Sequence, residues 1–340
     1  MSEGRILWYV HDQGSGHVAR ARAVLPHLRS PTVVAVGPHQ SASAARQLPC
    51  PVVALPGDTP PAPVPTTGPW HHAPRCREVR RRALALADCV ARFDCTTAVV
   101  DVSVEVVALA RLLGLRVVAV RQSGRRGDVP HGIAHDSADV VWIPQHPMLE
   151  PDAGPVDDRW RFTGAFSRFD DQLAPAPRSG RRRRRVAALV VGAGGTAFDA
   201  AAWCGAFAPP GWRVVIAGLA DCWSRGGVRS VGRIDDVDVV LRAADVVVAS
   251  AGWGNVADAA AIGARLVAVP EPRPFDEQAV RADALAAAGV ARRLAAWPTP
   301  AALGDVLTDA MSLDRAAWRA VYDGNGARRA AELVEAVHAS

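Results

Sequence analysis

Short apolar runs alternate with longer amphipathic stretches along the first half of the chain. The runs are rich in Val, Ala and Ile, and the stretches between them repeat apolar residues at helical spacing. Strands that are apolar along their whole length and separated by helices are typical of a parallel sheet covered on both faces. The pattern predicts strands at residues 6–10, 33–36, 52–55, 98–101 and 117–120, and helices at 18–28, 43–48, 78–90 and 104–113.

The same alternation starts again after residue 185, with strands expected at 186–191, 214–217, 245–249 and 266–269. Between the halves, the alternation pauses at residues 152–185, which are rich in Pro, Asp, Gly and Arg. Ligands of doubly wound folds bind at the carboxyl ends of the strands, so the cleft between the two sheets is the expected site. We therefore expect an α/β protein with two doubly wound, Rossmann-like domains, at 1–165 and 186–340, joined by an interdomain linker at 166–185.

The basic residues exclude every function that depends on a lysine, because all 39 of them are Arg and the chain contains no Lys. A Walker-A phosphate loop, a pyridoxal Schiff base, a lysine nucleophile and the lysine of protein kinases are therefore excluded. Any phosphate has to be held by Arg, hydroxyl groups, backbone N–H groups or helix N-termini. The length of 340 residues agrees with two domains.

The net charge of +5 does not indicate a nucleic-acid partner. Five Arg form one run at 181–185 without interleaved aromatic residues, and we interpret the run as a solvated part of the linker. The six Cys include no C-x-x-C pair, the N-terminus lacks the features of a signal peptide, and no apolar run is long enough for a membrane span. These features predict a cytoplasmic protein with reduced thiols. Association with a membrane surface is not indicated, although the apolar stretch 102–115 leaves it open.

The first candidate for chemistry is the loop between the first strand and the first helix. Gly14, Gly16 and Ala19 fit the dinucleotide pattern G-x-G-x-x-A, but that function needs an acidic residue at the end of the second strand, where residues 36–39 offer none. His17 opens a helix inside the cleft, and a helix N-terminus disfavours imidazolium. A neutral His17 can act as general base toward an acceptor hydroxyl. A helix-capping His with structural duties is the alternative.

Glycine-rich turns in the second half suit phosphate groups. Each turn follows a strand and opens a helix, so that backbone N–H groups and the Thr196 hydroxyl face the ligand. Asp258 stands just inside the second of these helices, where its carboxylate can accept hydrogen bonds from two ribose hydroxyls. Asp276 and Gln278, near the end of the next strand, can bind sugar hydroxyls. The turn residues concerned are Gly194, Gly195, Thr196, Ala251, Gly252, Trp253, Gly254 and Asn255.

The stretch 245–278 resembles the donor half of GT-B glycosyltransferases, most closely the type that includes the N-acetylglucosaminyl transferase of lipid II synthesis (family 28/1-like). The resembling pattern is a strand, Ala251-Gly252, the acidic Asp258, Ala-x-x-Gly, a strand ending in Pro and a loop ending in Asp-x-Gln. The segment around Ile234 resembles the one whose backbone recognises uracil, and residues 14–17 stand where the family carries its Gly-Gly-His loop. The resemblance implies a GT-B fold with nucleotide-sugar binding in the C-terminal domain and acceptor binding in the N-terminal one. Asp258 departs from it, because most relatives have the longer Glu.

These observations predict a metal-independent inverting glycosyltransferase that uses a nucleotide diphosphosugar, a UDP-sugar being favoured. We expect His17 to remove the proton of the acceptor hydroxyl and Asp101 to orient it, with Glu105 as a second candidate for that role. No cofactor and no metal are expected, since Asp236 and Asp238 are interpreted as caps of a helix. The acceptor is a small molecule or a lipid-linked intermediate. A nucleotide-sugar epimerase and a catalytically silent nucleotide-sugar-binding subunit are the alternatives.

The loop from Pro56 to Pro74 contains seven prolines and is too long for an ordinary connection. Two interpretations stay open: it is the wall of an acceptor pocket, or it is a disordered excursion. His71 and His72 in this loop are not expected to hold a metal, because the sequence suggests no third ligand nearby.

Overall fold

The computed structural model describes residues 4–12, 16–66, 68–151, 153, 157–170, 184–192, 195–234 and 237–340. The N-terminal half forms a seven-stranded parallel sheet in the order β3-β2-β1-β4-β5-β6-β7. Its strands are β1 Arg5–Val10, β2 Thr32–Val36, β3 Val52–Ala54, β4 Cys95–Asp101, β5 Arg116–Val120, β6 Val140–Ile143 and β7 Trp160–Phe162. Its helices are α1 Gly16–Val24, α2 Pro38–Gln47, α3 Arg77–Phe93, α4 Val104–Leu112 and α5 Val129–Ser137.

The second half forms another seven-stranded sheet, in the order β10-β11-β9-β8-β12-β13-β14. Its strands are β8 Arg185–Val190, β9 Trp212–Ala217, β10 Cys222–Arg225, β11 Val228–Val231, β12 Val246–Ser250, β13 Leu266–Val269 and β14 Ala291–Arg293. Its helices are α6 Ala200–Cys204, α7 Val237–Ala243, α8 Trp253–Ala261, α9 Glu277–Ala287 and α10 Leu303–Ala310, and α11 Gly326–Ala339 follows. All described pairings are parallel except β10 with β11, a hairpin that the apolar pattern did not predict.

Both faces of each central strand are buried, as the continuous apolar runs predict. In β1, Leu7 and Tyr9 join the core on one side of the sheet, while Ile6, Trp8 and Val10 join the core on the other. The side chains of a strand point alternately to opposite faces, so one run serves two helical layers. The predicted α/β fold with two doubly wound domains is therefore confirmed.

The boundaries of the domains differ from the prediction at two places. The last helix, α11, packs on the N-terminal domain, because its apolar stripe of Ala330, Val334 and Val337 is buried in the same core as Val24. The predicted linker 166–185 also begins too early. Phe166 is fully buried in that core, and β8 already begins at Arg185. Residues 171–183, with most of the predicted linker, lie outside the described residues.

Candidate active site

His17 and Asp101 meet at the carboxyl edge of the first sheet. Since β1 and β4 are neighbours, the loop that leads into α1 and the end of β4 lie side by side. His17 is the second residue of α1, Asp101 is the last residue of β4, and Nδ1 of His17 lies 3.0 Å from Oδ2 of Asp101. Asp101 is completely buried, whereas 12% of the His17 side chain is exposed. One nitrogen of the imidazole therefore lies against a buried carboxylate, while part of the side chain remains accessible to solvent.

Arg20 contacts the other oxygen of Asp101, at Oδ1. It lies one turn after His17 on α1, is 1% exposed, and stacks its guanidinium over the Trp253 ring at 5.1 Å. Burial raises the pKa of Asp101, but the charge of Arg20 and the contact with His17 outweigh burial, so its pKa lies below the usual value. Sequence reasoning missed Arg20. Its spacing of three residues from His17 on one helix is the signal that could have found it.

His11 stands at the rim of the same site, with its ring centre 5.4 Å from that of His17. Burial is the main reason that the pKa of His11 is lowered to about 4, and the neighbouring His17 imidazole, which would repel a second protonated ring, contributes to the same shift. His11 is therefore uncharged at neutral pH. It also lines a large cavity in the N-terminal domain, so this cavity adjoins His17.

The cavity has a volume of about 950 Å³ and lies between the 57–74 loop and helices α3 and α4. Of the two interpretations of this loop, the described residues form the wall of a pocket. Oε1 of Glu105 accepts hydrogen bonds from the backbone N–H groups of His71 and His72, both at 2.7 Å. Glu105 thus holds the loop, and Asp101 is the carboxylate that contacts His17. Of the two candidates for orienting His17, Asp101 is the one that the structure brings into contact with it.

His71, Asp128 and His131 form the one group of three metal-ligand side chains found among the described residues. Nε2 of His71 lies 2.5 Å from Asp128, and Nδ1 of His131 contacts the other oxygen of that carboxylate. Nη1 of Arg126 lies 2.9 Å from Nε2 of His131. Because a guanidinium only donates, His131 accepts at Nε2 and carries its proton at Nδ1, toward Asp128. This hydrogen-bonded chain explains the cluster without a cation, and no residue of it was a predicted site residue.

The donor-side turn has the geometry expected of an anion site. Helix α8 begins at Trp253 after the N-cap Gly252, at the carboxyl end of β12, and no side chain caps it. Nδ2 of Asn255 donates to Oγ of Ser250 at 2.8 Å, which fixes the start of the turn. The first turn of a helix presents N–H groups without intrahelical partners, here those of Trp253, Gly254 and Asn255. The backbone N–H of Ala251 donates to Val269 in the sheet, so Ala251 positions the turn.

Two side chains predicted on the donor side are engaged elsewhere. The Thr196 hydroxyl donates to Glu271 at 2.5 Å and is therefore not directed at a phosphate. The Trp253 indole donates to the carbonyl of Pro144 at 3.2 Å and packs on Phe166, so its side chain joins the two domains and only its backbone remains for a donor. Both differences have the same cause. A polar group inside the protein forms a hydrogen bond with an available protein partner, because a buried polar group without a partner is costly.

Asp258 is likewise engaged within the chain. Its Oδ1 accepts from Ser167 at 2.6 Å, and its Oδ2 accepts from Arg168 at 2.8 Å. The carboxylate is 8% exposed, and burial raises its pKa despite the Arg168 charge. The open carboxylate that was expected for a ribose is not present in this arrangement, because residues 167–168 occupy it.

The remaining predicted residues are placed as follows. Oε1 of Gln278 accepts from the backbone N–H of Glu271, and its amide nitrogen faces Gly252. Asp276 is an exposed residue 3.6 Å from Arg125 of the other domain. Ile234 packs against the C-terminal core. Gly16 is the first residue of α1, and a Cβ at this position would meet no neighbouring atom. Gly195 has a positive φ of 89°. Gly14, Gly194 and Asp236 lie outside the described residues.

Comparisons with known proteins bear on both halves of this site. Residues 225–331 match the glycosyltransferase family 28 C-terminal domain. A segment of 121 residues, 33% of the chain, is 39% identical to the UDP-N-acetylglucosamine–N-acetylmuramyl-(pentapeptide) pyrophosphoryl-undecaprenol N-acetylglucosamine transferase of Paenarthrobacter aurescens (strain TC1). The match spans about a third of that relative's own length, 32%.

Solved structures match almost the whole chain. The glycotransferase of kitacinnamycin superposes with a TM-score of 0.70 at 19% identity, over 99% of this chain and 100% of the other. MurG of Acinetobacter baumannii superposes with a TM-score of 0.67 at 16% identity, over 98% and 99%. At this level of identity the likeness shows the fold. This chain has the GT-B fold.

The predicted resemblance is therefore confirmed, and the family 28 match includes the segment 245–278 that suggested it. The matches also support the expected enzyme class, a glycosyltransferase. None of the described helices of this GT-B protein is both long and apolar enough to cross a membrane.

Proposed function

We propose that this GT-B protein is a metal-independent inverting glycosyltransferase of the cytoplasm, which moves a sugar from a nucleotide diphosphosugar to an acceptor hydroxyl without a cofactor. The family 28 match in the donor half supports a nucleotide-sugar donor. A UDP-sugar is favoured, in line with the UDP-N-acetylglucosamine named for the relative. The cavity next to His11 would take the acceptor, a small molecule or a lipid-linked one.

The observation that carries the proposal is the contact between His17 and Asp101. Nδ1 of His17 lies 3.0 Å from the carboxylate, and this negative charge favours the tautomer that carries its proton at Nδ1. The lone pair of that tautomer is at Nε2, where it can accept a proton. The acceptor oxygen would then form its bond to the anomeric carbon while its proton passes to Nε2. Asp101 keeps its negative charge and so holds the imidazole in this tautomer.

The leaving diphosphate would be stabilised by the first turn of α8. As the bond from the anomeric carbon to the diphosphate oxygen breaks, negative charge develops on that oxygen. Oriented N–H groups at a helix N-terminus stabilise such charge without a cation. Since α8 has no side-chain cap, its first N–H groups are open to this function.

The test is turnover of His17→Ala with UDP-sugars and a panel of hydroxylated acceptors. We expect a loss of about 10²–10⁴ in kcat, the usual contribution of a general base, with little change in donor affinity. His27→Ala is the matched control, because His27 is an exposed residue that closes the turn after α1. Undiminished turnover of His17→Ala would remove His17 from the mechanism.

The same assay separates the alternatives. An epimerase would convert the sugar of the nucleotide without any acceptor, and a silent binding subunit would bind UDP without consuming the UDP-sugar. Neither an epimerase nor a silent binding subunit needs the large cavity beside His11, and the comparisons with known proteins do not favour these two alternatives.

A further inference from the structure

The cavity beside His11 is large and mainly apolar. At about 950 Å³ it is near the upper end of the range of roughly 300–1,000 Å³ for pockets that enclose small molecules. Helices α3 and α4 contribute Leu86 and Leu109, and the opposite wall consists of the Pro-rich loop with Trp70. A rigid ring system can fill such a cavity at a lower cost in conformational entropy than a long flexible chain, because it has fewer torsions to immobilise.

The charged residues that line the cavity are mainly acidic. They are three carboxylates, Asp12, Asp58 and Glu105, and one guanidinium, Arg82. Four histidines, His11, His39, His71 and His72, also line the cavity. Residues 13–15 and 67, which adjoin lining residues in the sequence, are Gln, Gly, Ser and Thr and carry no charge. His11 is neutral at neutral pH because burial lowers its pKa to about 4.

The single Arg82 is already engaged by groups of the protein. Its Nη2 donates to the Tyr9 hydroxyl at 2.8 Å, its Nη1 donates to the carbonyl of Pro56 at 2.8 Å, and its Nε lies 3.4 Å from Asp58. Arg82 is buried, so these contacts are not easily exchanged for water. An anionic ligand would therefore have to compete with Asp58 for this cation.

Two of the carboxylates are fixed in place. Asp12 accepts from the backbone N–H of Gln40 at 3.1 Å and lies 2.6 Å from Nδ1 of His39. A Cβ at Gly37 would lie 2.4 Å from Cγ of Asp12, so this glycine is needed for the carboxylate to sit there. Glu105 is held by the two backbone N–H groups of the loop. Neither side chain can turn away from a bound anion without breaking these contacts.

We infer that the acceptor is a neutral or cationic molecule built on an apolar ring frame, rather than a lipid linked through a diphosphate. This inference rests on the proposed function and specifies its acceptor. A diphosphate brings two or more negative charges into a cavity whose fixed charges are three carboxylates against one paired Arg. A ring system with a hydroxyl group satisfies the apolar walls and offers the proton that His17 would take.

The test uses three probes that share one ring frame and differ in charge: 1-pyrenemethanol, 1-pyrenemethylamine and 1-pyrenecarboxylate. Binding to the full chain is followed by the fluorescence anisotropy of pyrene, without any nucleotide sugar. We expect the alcohol and the amine to bind at least tenfold more tightly than the carboxylate, and farnesyl diphosphate not to displace the alcohol. Ala83→Trp places a large side chain from α3 into the cavity. It should weaken the binding of all three probes, which would show that they bind in this cavity.

Charge variants then test the cause of the preference. Asp58→Asn and Glu105→Gln should each improve binding of the carboxylate by about three- to tenfold while changing the alcohol little. Asp136→Asn is the matched control, since Asp136 is 83% exposed on α5 and does not line the cavity. Thermal unfolding of each variant establishes that it is folded.

Each outcome bears on the inference separately from the proposed function. Binding of the carboxylate as tightly as the alcohol, displacement of the alcohol by farnesyl diphosphate, or a charge preference unchanged in both variants would overturn the acceptor class. None of these readouts needs catalysis, so they stand whether or not UDP-sugars are consumed. Loss of turnover in His17→Ala, by contrast, reports on the function alone.

Discussion

His17 and Arg20 contact the same buried carboxylate, one at each oxygen of Asp101. A fully buried negative charge needs a compensating positive charge. Arg20 supplies it permanently, so His17 does not have to be protonated to stabilise Asp101. His17 can therefore remain neutral, as a general base requires, while Asp101 beside it is ionised.

Arg20→Met should shift the acidic limb of kcat/KM to higher pH. Without the guanidinium, the buried charge of Asp101 has no permanent cation in contact with it and attracts a proton to His17 more strongly. Glu277, whose charge also interacts with His17, acts in the same direction. The folded state should lose about 3–5 kcal/mol, the usual cost of breaking a buried ion pair. Arg20→Lys should restore part of the stability and most of the pH profile. An acidic limb that does not move in Arg20→Met would contradict this role.

Stability should fall as pH decreases from about 6.5 to about 4, partly because of His11. Its pKa is lowered to about 4 in the folded chain, whereas an unfolded His binds its proton near pH 6.5. Below pH 6.5 the unfolded state therefore takes up a proton that the folded state excludes, which costs up to about 3 kcal/mol at pH 4. Urea unfolding at a series of pH values should show a shallower decline for His11→Asn than for the unsubstituted chain.

Asp258→Asn should destabilise the chain by about 1–3 kcal/mol. The change removes the charge that Arg168 contacts at 2.8 Å and weakens the acceptor of the Ser167 hydroxyl, while the residue stays buried. Urea unfolding measures the loss, and titration with UDP and dTDP on the same variant tests the predicted ribose contact. If UDP affinity falls and dTDP affinity does not, Asp258 reaches the ribose and residues 167–168 move when the donor binds.

Transfer should survive an excess of EDTA. The proposal assigns the leaving diphosphate to the N–H groups of α8, and the hydrogen-bonded chain through Asp128 occupies the one three-ligand cluster of the described residues. The measurement is turnover with and without EDTA, followed by addition of magnesium or manganese. Activity lost with EDTA and regained with either ion would show that a cation site has been overlooked.

The sequence predicted the layers of the fold well, because strands that are apolar along their whole length have to be covered on both faces. Helices between successive strands provide that cover in a parallel sheet. It also predicted the pair of His17 and Asp101, since neighbouring parallel strands end at the same edge of a sheet. What it could not predict were contacts between distant segments. Asp258 lies 91 residues from Ser167, and no local pattern shows that their side chains meet.

The sequence also failed to predict one short pair of strands and the hydrogen-bond partner of one polar side chain. The antiparallel hairpin β10–β11 has mixed polar and apolar residues, and its turn depends on Gly226 and Gly227, both with positive φ. Thr196 has the residue type of a phosphate ligand, but the buried Glu271 takes its hydroxyl. A side chain's chemistry is visible in the sequence, whereas its partner depends on tertiary packing.

The return of α11 to the N-terminal core means that the C-terminal domain is an insertion, joined to the rest of the protein at both of its ends. The chain passes between the halves once after β7 and again before Gly326, so any opening of the cleft has to bend two connections together. A pair of connections permits rotation about the line through them and resists twisting about other axes. Expressing residues 186–340 alone would also leave the stripe of Ala330 and Val334 facing water, so the separable unit ends before α11.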